Sequence, residues 1–287
     1  MNKILEKMKP LIKKFRPIVN EFNIPDLFSR TAEMAFYLTI SIFPSMIFII
    51  CAMAYIPDVN LAKMQISLSQ LIPHQAFMIV KVLINSAVEN RSLHLLVLSF
   101  LLATWTFSKA VKSMIKGQNM AFGFKEKRSF IKLNVICITY AIGFFIVTLL
   151  CIAFIVYGDK LSLLFQKVFG DFIILNILYN IFRYLLPVTV MTYIFISLFT
   201  LGPSGELKFK ECSPGAVTTT ILWLIFSLIY SYYANYFFRS KEIYGSISSI
   251  IILLTWLYFC GMSITIGYKL NAILYHSRLK KKKSRVL

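Results

Sequence analysis

Acidic side chains are scarce in this chain: 12 Asp and Glu stand against 31 Lys and Arg in 287 residues, and no two acids are expected to share a membrane helix. Histidine is scarcer, with His74, His94 and His276 isolated from one another and no H-x-H or H-E-x-x-H spacing. A nuclease or hydrolase needs converging metal ligands or an acid-base pair, and neither is written here, so no catalytic residue, metal or cofactor is expected. The absence of a Gly-rich phosphate loop argues against ATP-driven work by this chain alone. Five cysteines make no C-x-x-C pair, and Cys51, Cys137, Cys151 and Cys260 lie within apolar runs, where they read as small buried hydrophobes. Asp58, Glu89, Asp159, Asp171 and Glu242 read as solvated loop charges on one side, and Glu126, Glu206 and Glu211 as their counterparts on the other.

What is abundant is apolar surface. Hydrophobic residues make up 58% of the chain and charged ones 15%, a balance that points to the bilayer as solvent. The run Arg30–Pro57 carries no charge beyond Glu33 for more than the ~20 residues that cross a membrane. Five further runs follow, at about 93–111, 133–157, 172–201, 214–238 and 245–270. The expected fold is therefore all-α: a polytopic membrane protein with six transmembrane helices over residues 30–275. Ser213-Pro214 reads as an N-cap and first-turn proline opening the fifth span. Pro44 removes a hydrogen bond in span one that Thr39 and Ser41 are placed to recover.

Residues 1–29 form a basic amphipathic segment, with Ile4, Met8, Leu11, Ile12 and Phe15 between lysines and with breaks at Pro10 and Pro17. It lacks the apolar core of a cleavable signal peptide. Residues 58–92 are too polar to cross, and their helical spacing suggests an amphipathic pair between spans one and two. Residues 276–287 are a basic tail, RLKKKKSRVL at its end. Twenty-two Lys and Arg, counting Arg30 with the N-terminal segment, fall on the side of the termini and seven on the other. By the positive-inside rule both termini are cytoplasmic. The same asymmetry accounts for the basic charge without nucleic acid, and anionic lipid headgroups are the expected partners of the terminal clusters. The sequence specifies no protein partner.

At membrane depth stand a few polar groups: Glu33, Asn176, Asn180, Arg183, Lys269 and Asn271, the candidate substrate-binding residues. Two cations among them could hold a phosphate or carboxylate headgroup, whereas the plainer reading makes Arg183 and Lys269 interfacial anchors. Both readings stand for Arg183. Glu33 and Lys269 are expected to pair, because an unpaired intramembrane charge costs ~2.5–3.5 kcal/mol.

Three stretches carry a resemblance. AFYLTISIFP contains Tyr37 and Pro44. Trp105 and Ser108 are followed by Asn119, Ala121, Phe122, Gly123 and Arg128. YGSISSIIILLTWLYFCG begins at Tyr244 and Gly245 and leads to Gly267 and Asn271. Together they resemble the YihY/BrkB family of bacterial inner-membrane proteins, over roughly residues 30–275. The resemblance implies six membrane helices in the inner membrane but no settled activity, the proposals for relatives centring on the handling of a lipid or envelope component. The ribonuclease BN name once given to that family is not carried over. Phe122 stands at a usual tyrosine, Lys269 at a usual glutamate, and Glu33 in a stretch usually small and apolar. The function expected is transport or flipping of an anionic amphiphile, a phospholipid or envelope-lipid precursor. The alternative is a non-transporting membrane scaffold or regulator.

Overall fold

A proline in the first turn and an acid beside it start the first helix earlier than the apolar run does. In the computed structural model α1 spans Ile24–Ala54, with Pro25 where a missing N–H costs nothing and Asp26 facing the positive end of the helix dipole. Ile24 to Ser29, read above as part of the N-terminal segment, are thus the first turns of α1. The structure describes residues 24–55, 85, 92–169, 173–237 and 245–284, and within the helices the side chains of 152–184, 231, 234–237, 245–250, 252 and 281–283 lie outside that description. The amphipathic N-terminal pieces over 1–23 and the amphipathic pair expected over 58–92 fall outside the described residues, apart from Asn85 and Ser92.

α2 spans Leu93–Phe122. Ser92 caps it, its hydroxyl accepting from the Leu95 N–H at 3.2 Å. It outlasts the apolar run by eleven residues, so most of the loop expected over 109–132 is helix. Lys109, Lys112 and Lys116 are good helix formers, and nothing stops the helix until Gly123, at φ 73°, adopts the left-handed conformation. The Phe124 N–H then closes onto the Asn119 carbonyl at 2.8 Å, and Phe124 stacks on Phe122.

α3 spans Phe130–Phe169, α4 Ile173–Leu201, α5 Phe209–Phe237 and α6 Gly245–Lys283. The fifth helix does not open at Ser213-Pro214. Its first turn is closed by Glu211, which accepts from the Lys208 N–H at 3.0 Å, so Pro214 is internal and Ser213 donates to the Lys210 carbonyl instead. α6 runs straight through the start of the basic tail as far as Lys283. α1, α2, α3, α5 and α6 are long and apolar enough to cross a membrane, and the fully described part of α4, Leu185–Leu201, is apolar but shorter. Exposed Leu98, Leu101, Val135, Ile146, Leu228 and Ile229 give these helices an apolar outer surface.

Each helix packs on the one before it, α6 closes back onto α1, and α2 also touches α6. The six form a ring in chain order. Its core gathers Met34, Met114, Ile115, Cys137, Phe199, Ala216, Ile264 and Tyr268 from all six helices. Pro44 lies inside α1, but Thr39 and Ser41 donate to the carbonyls of Ala35 and Leu38 rather than to that of Ile40, which the proline frees. Hydroxyls that fold back on their own turn reach only the carbonyl three or four residues earlier, and neither residue stands at that offset from Ile40.

A close seam joins α5 and α6, which run antiparallel. Asn271 meets Cys212 and Gly215, Gly267 meets Gly215 and Thr219, and Thr219 donates to the Ser263 carbonyl at 3.3 Å. Further along, the Trp223 indole donates to Cys260 and that of Trp256 to Ser227. Small residues at one helical turn's spacing let the two backbones touch at the near end, and indoles fill the wider gap beyond.

Candidate functional site

The polar chemistry of the ring is concentrated where α1, α3 and α5 begin and α2, α4 and α6 end. On α1, Asp26 and Glu33 share one helix, contrary to the expectation that no two acids would. Arg30 lies between them, its guanidinium 3.3 Å from Asp26 and 3.0 Å from Glu33. Residues three and four apart occupy one helical face, which makes this alternation continuous. Lys269 of α6 reaches Asp26 at 2.8 Å, and Lys116 of α2 reaches Glu33 at 3.6 Å. The result is an alternating chain, Lys269, Asp26, Arg30, Glu33, Lys116, linking α6 to α1 to α2.

The expected Glu33–Lys269 pair is therefore corrected: the carboxylate that Lys269 meets belongs to Asp26, two helical turns nearer the start of α1. Starting α1 at Ile24 rather than Arg30 brings an acid to the depth of Lys269 that the apolar run did not include. Lys269 is only 8% exposed. A buried ammonium needs a carboxylate partner, and this one has it. Tyr268, beside it, lays its ring against Gly117 of α2, where even a methyl group would sit 2.6 Å from the phenol oxygen.

A second cluster ties the two interhelical connections together. The Arg128 guanidinium bonds both oxygens of Glu126 at 2.7 Å and the Gly202 carbonyl at 2.8 Å. Asn119 donates to Glu126 at 2.9 Å, and its own oxygen accepts from the Ser204 N–H at 2.8 Å. Ser204 returns a bond to the Lys125 carbonyl. Glu126, read above as a solvated loop charge, is the centre of this knot. The Nε2 of His276 lies 3.2 Å from the Ala121 carbonyl, so its proton is donated to the last turn of α2. Glu211 pairs with Arg278 at 3.7 Å.

Asn271, 1% exposed, spends both ends of its amide on α5, accepting from the Gly215 N–H at 2.7 Å and donating to the Cys212 carbonyl at 2.9 Å. It is a structural clasp at the seam. Asn176, Asn180 and Arg183 lie on α4, but their side chains are outside the described residues. Of the motif residues, Asn119 and Arg128 meet in the knot, Gly123 caps α2, Gly267 lies in the seam, and Trp105 lies on the outer wall beneath Lys109. Tyr37 packs edge-on to Phe36, Gly245 begins α6, and Tyr244 is outside the described residues. Among the described residues no three His, Cys, Asp or Glu side chains gather as a metal site would require.

The family described as virulence factor BrkB matches residues 18–286. The chain belongs to that family. Over 252 residues it is 29% identical to a Bacillus subtilis protein named as ribonuclease-like, YfkH, covering 88% of this chain and 91% of the relative. UPF0761 membrane proteins of Idiomarina loihiensis and Pseudoalteromonas translucida share 28% identity over 94 residues and 32% over 88, about a third of each chain. No solved structure matches. This BrkB-family chain is an integral membrane protein, as its spans and relatives together require.

Reading the sequence missed Asp26, Arg30, Lys116, Glu126 and Ser204 in the BrkB-family ring. The signal for the first two was present: Pro25-Asp26 is a helix start, and 26, 30 and 33 are spaced for one face. Wholly buried Gln118 was also passed over, and neither of its amide atoms is hydrogen-bonded.

The knot has a pH signature. The Arg128 guanidinium holds the Glu126 carboxyl at about 2, against an ordinary value of 4.5, with the Arg128 N–H and Asn119 adding to the effect against the opposing pull of burial. A carboxyl lowered on folding stabilises fully above its unfolded value and loses that contribution as pH falls through the folded one. The melting midpoints of wild type and Glu126→Gln should therefore differ most above pH about 4.5 and converge as pH falls towards 2. A gap that does not change over this window would show that the carboxylate's charge is not what holds the knot.

Proposed function

We propose that this membrane protein moves an anionic amphiphile, a phospholipid or envelope-lipid precursor, across the bacterial inner membrane. The observation that carries the reading is the ion-pair chain through α6, α1 and α2, with buried Lys269 at its centre of cost. Ionisable groups inside a helical membrane bundle are expensive to keep and mark pathways for charged cargo. Both termini are cytoplasmic in this reading, supported by the segregation of Lys and Arg, so the chain of charges lies at the inner side. There it acts as a gate: separating α6 from α1 exposes Lys269, and an anionic headgroup takes the place of Asp26. Thr31, Thr104 and Gln118 are buried on α1 and α2 with polar atoms that bond to nothing, which supplies further capacity for a polar cargo or water. The Pro44 and Pro187 sites let α1 and α4 bend.

Arg183, one turn before Pro187 on α4, engages the headgroup towards the outer leaflet in this reading, with Asn176 and Asn180 along the same helix. The test is mass spectrometry of lipids that co-purify in mild detergent. Wild type should retain a discrete anionic lipid that Arg183→Ala loses, and the same substitution should abolish translocation in reconstituted vesicles. If only bulk membrane lipid is found, unchanged by the substitution, the transport reading gives way to a membrane scaffold that docks partners through residues 58–92.

A further inference from the structure

On the outer wall of the ring, α2 presents beside α3 two lysines that have no carboxylate partner among the described residues. We propose that Lys109 and Lys112, with Trp105, Phe130 and Asn134, form a binding site for the phosphate of an anionic phospholipid in the leaflet at the charged end.

Both ammonium groups are held rather than free. Lys109 lies over the Trp105 ring, 3.6 Å from its centroid. Lys112 lies 4.5 Å from the centroid of the Phe130 ring and donates to the Asn134 side-chain oxygen at 3.0 Å. Aromatic faces and an amide oxygen position a cation without neutralising it. Lys116, one turn further on, differs in having Glu33 for a partner, and Lys269, Arg30, Arg128 and Arg278 each have a carboxylate as well.

The surroundings say what the unneutralised pair faces. Trp105 is 56% exposed, Phe130 73% and Ile131 74%, and Val135 and Ile138 continue that face along α3. On α2 the same face, read backwards from Trp105, is Leu102, Leu101 and Leu98. An apolar strip this long on a membrane helix is covered by acyl chains, and the first cations beyond it stand at phosphate depth. Lys109 and Lys112 are three residues apart on one helical face, close enough for two ammonium groups to share one phosphate. A zwitterionic headgroup would bring its own cation to the same place and lose the advantage. The occupant is therefore a lipid of net negative charge, and the assignment does not rest on transport or on Arg183.

The tryptophan makes the test local. With Trp223 and Trp256 replaced by phenylalanine, Trp105 is the remaining indole, and it can be quenched by lipids brominated on their acyl chains. In phosphatidylcholine vesicles, brominated phosphatidylglycerol should half-quench Trp105 at a mole fraction about tenfold lower than brominated phosphatidylcholine, from two lysines near an anionic surface. Lys109→Gln/Lys112→Gln should erase the preference. Lys109→Arg/Lys112→Arg should keep it, and so should Arg183→Ala and the charge-matched control Lys125→Gln/Lys127→Gln. Equal quenching by the two lipids, or the same loss of preference in the control, would overturn the site. Should the single-tryptophan protein not fold, native mass spectrometry of bound phosphatidylglycerol in the same lysine variants, with all three tryptophans kept, decides the question on the same comparisons.

Discussion

Gly267→Ala should cost the protein about 3 kcal/mol, enough to deplete folded material from the membrane, because it adds a methyl group where no space exists. The new carbon would overlap the Thr219 hydroxyl and lie 2.6 Å from the Gly215 carbonyl oxygen. Thr219 cannot swing away freely: it is fully buried, and its hydroxyl is already bonded to Gly215 and Ser263. The carbonyl is backbone and moves only with its helix. α5 and α6 must therefore separate, and separation lengthens every bond along the seam, including those of Asn271 and Trp223. Yield of monodisperse protein and its melting midpoint in detergent give the measurement, with Gly143→Ala, where an added methyl meets nothing within 4 Å, as the tolerant comparison.

Asn271→Leu should be nearly as damaging, by about 2–4 kcal/mol, for the opposite reason: it fills the space and removes the bonds. Leucine is close to asparagine in size, but it takes from the buried Gly215 N–H and Cys212 carbonyl the bonds that α6 supplies. Each buried backbone group that loses a bond in this way costs about 1–3 kcal/mol. Pro214 sharpens the effect, since it already deprives the first turns of α5 of one donor. Asn271→Asp should be no milder: an acid in this place still accepts from Gly215, but once ionised it stands unpaired against the Cys212 carbonyl, so it should melt with or below leucine. If leucine melts with wild type, the clasp is not holding the seam.

Much of this architecture was legible because the bilayer imposes it on composition. Runs without charge located the helices, and the ends of α4 fell within a residue of expectation, since flanking polar residues bound its apolar run. Ends that are not set by hydropathy were missed. α2 outlasts its apolar run because lysine is as content in a helix as leucine is, and only the left-handed Gly123 stops it. α1 starts early for the same kind of local reason at Pro25. Those two extensions carry Asp26 and Lys116, which is why the pairing of Lys269 came out wrong: the residue types were recognised, but the partner lay outside the boundary drawn. Glu126 was illegible for another reason. Its neighbours in space, Asn119 and Ser204, come from the last turn of α2 and from the connection between α4 and α5, and no local spacing announces a contact between them.

The ring order has a consequence for how the chain is made. Every helix that emerges into the membrane finds as its neighbour the one inserted just before it, so assembly can follow synthesis step by step with no helix held in reserve for a distant partner. The exception is the last. α6 closes the circle against α1 and α2, brings Lys269 to Asp26, and supplies Asn271 to an α5 that has waited for it. A ribosome that stops short of α6 therefore releases a chain in which Asp26 has lost the Lys269 ammonium, though not Arg30, and α5 has an open groove. Membrane quality control can recognise such a product as unfinished.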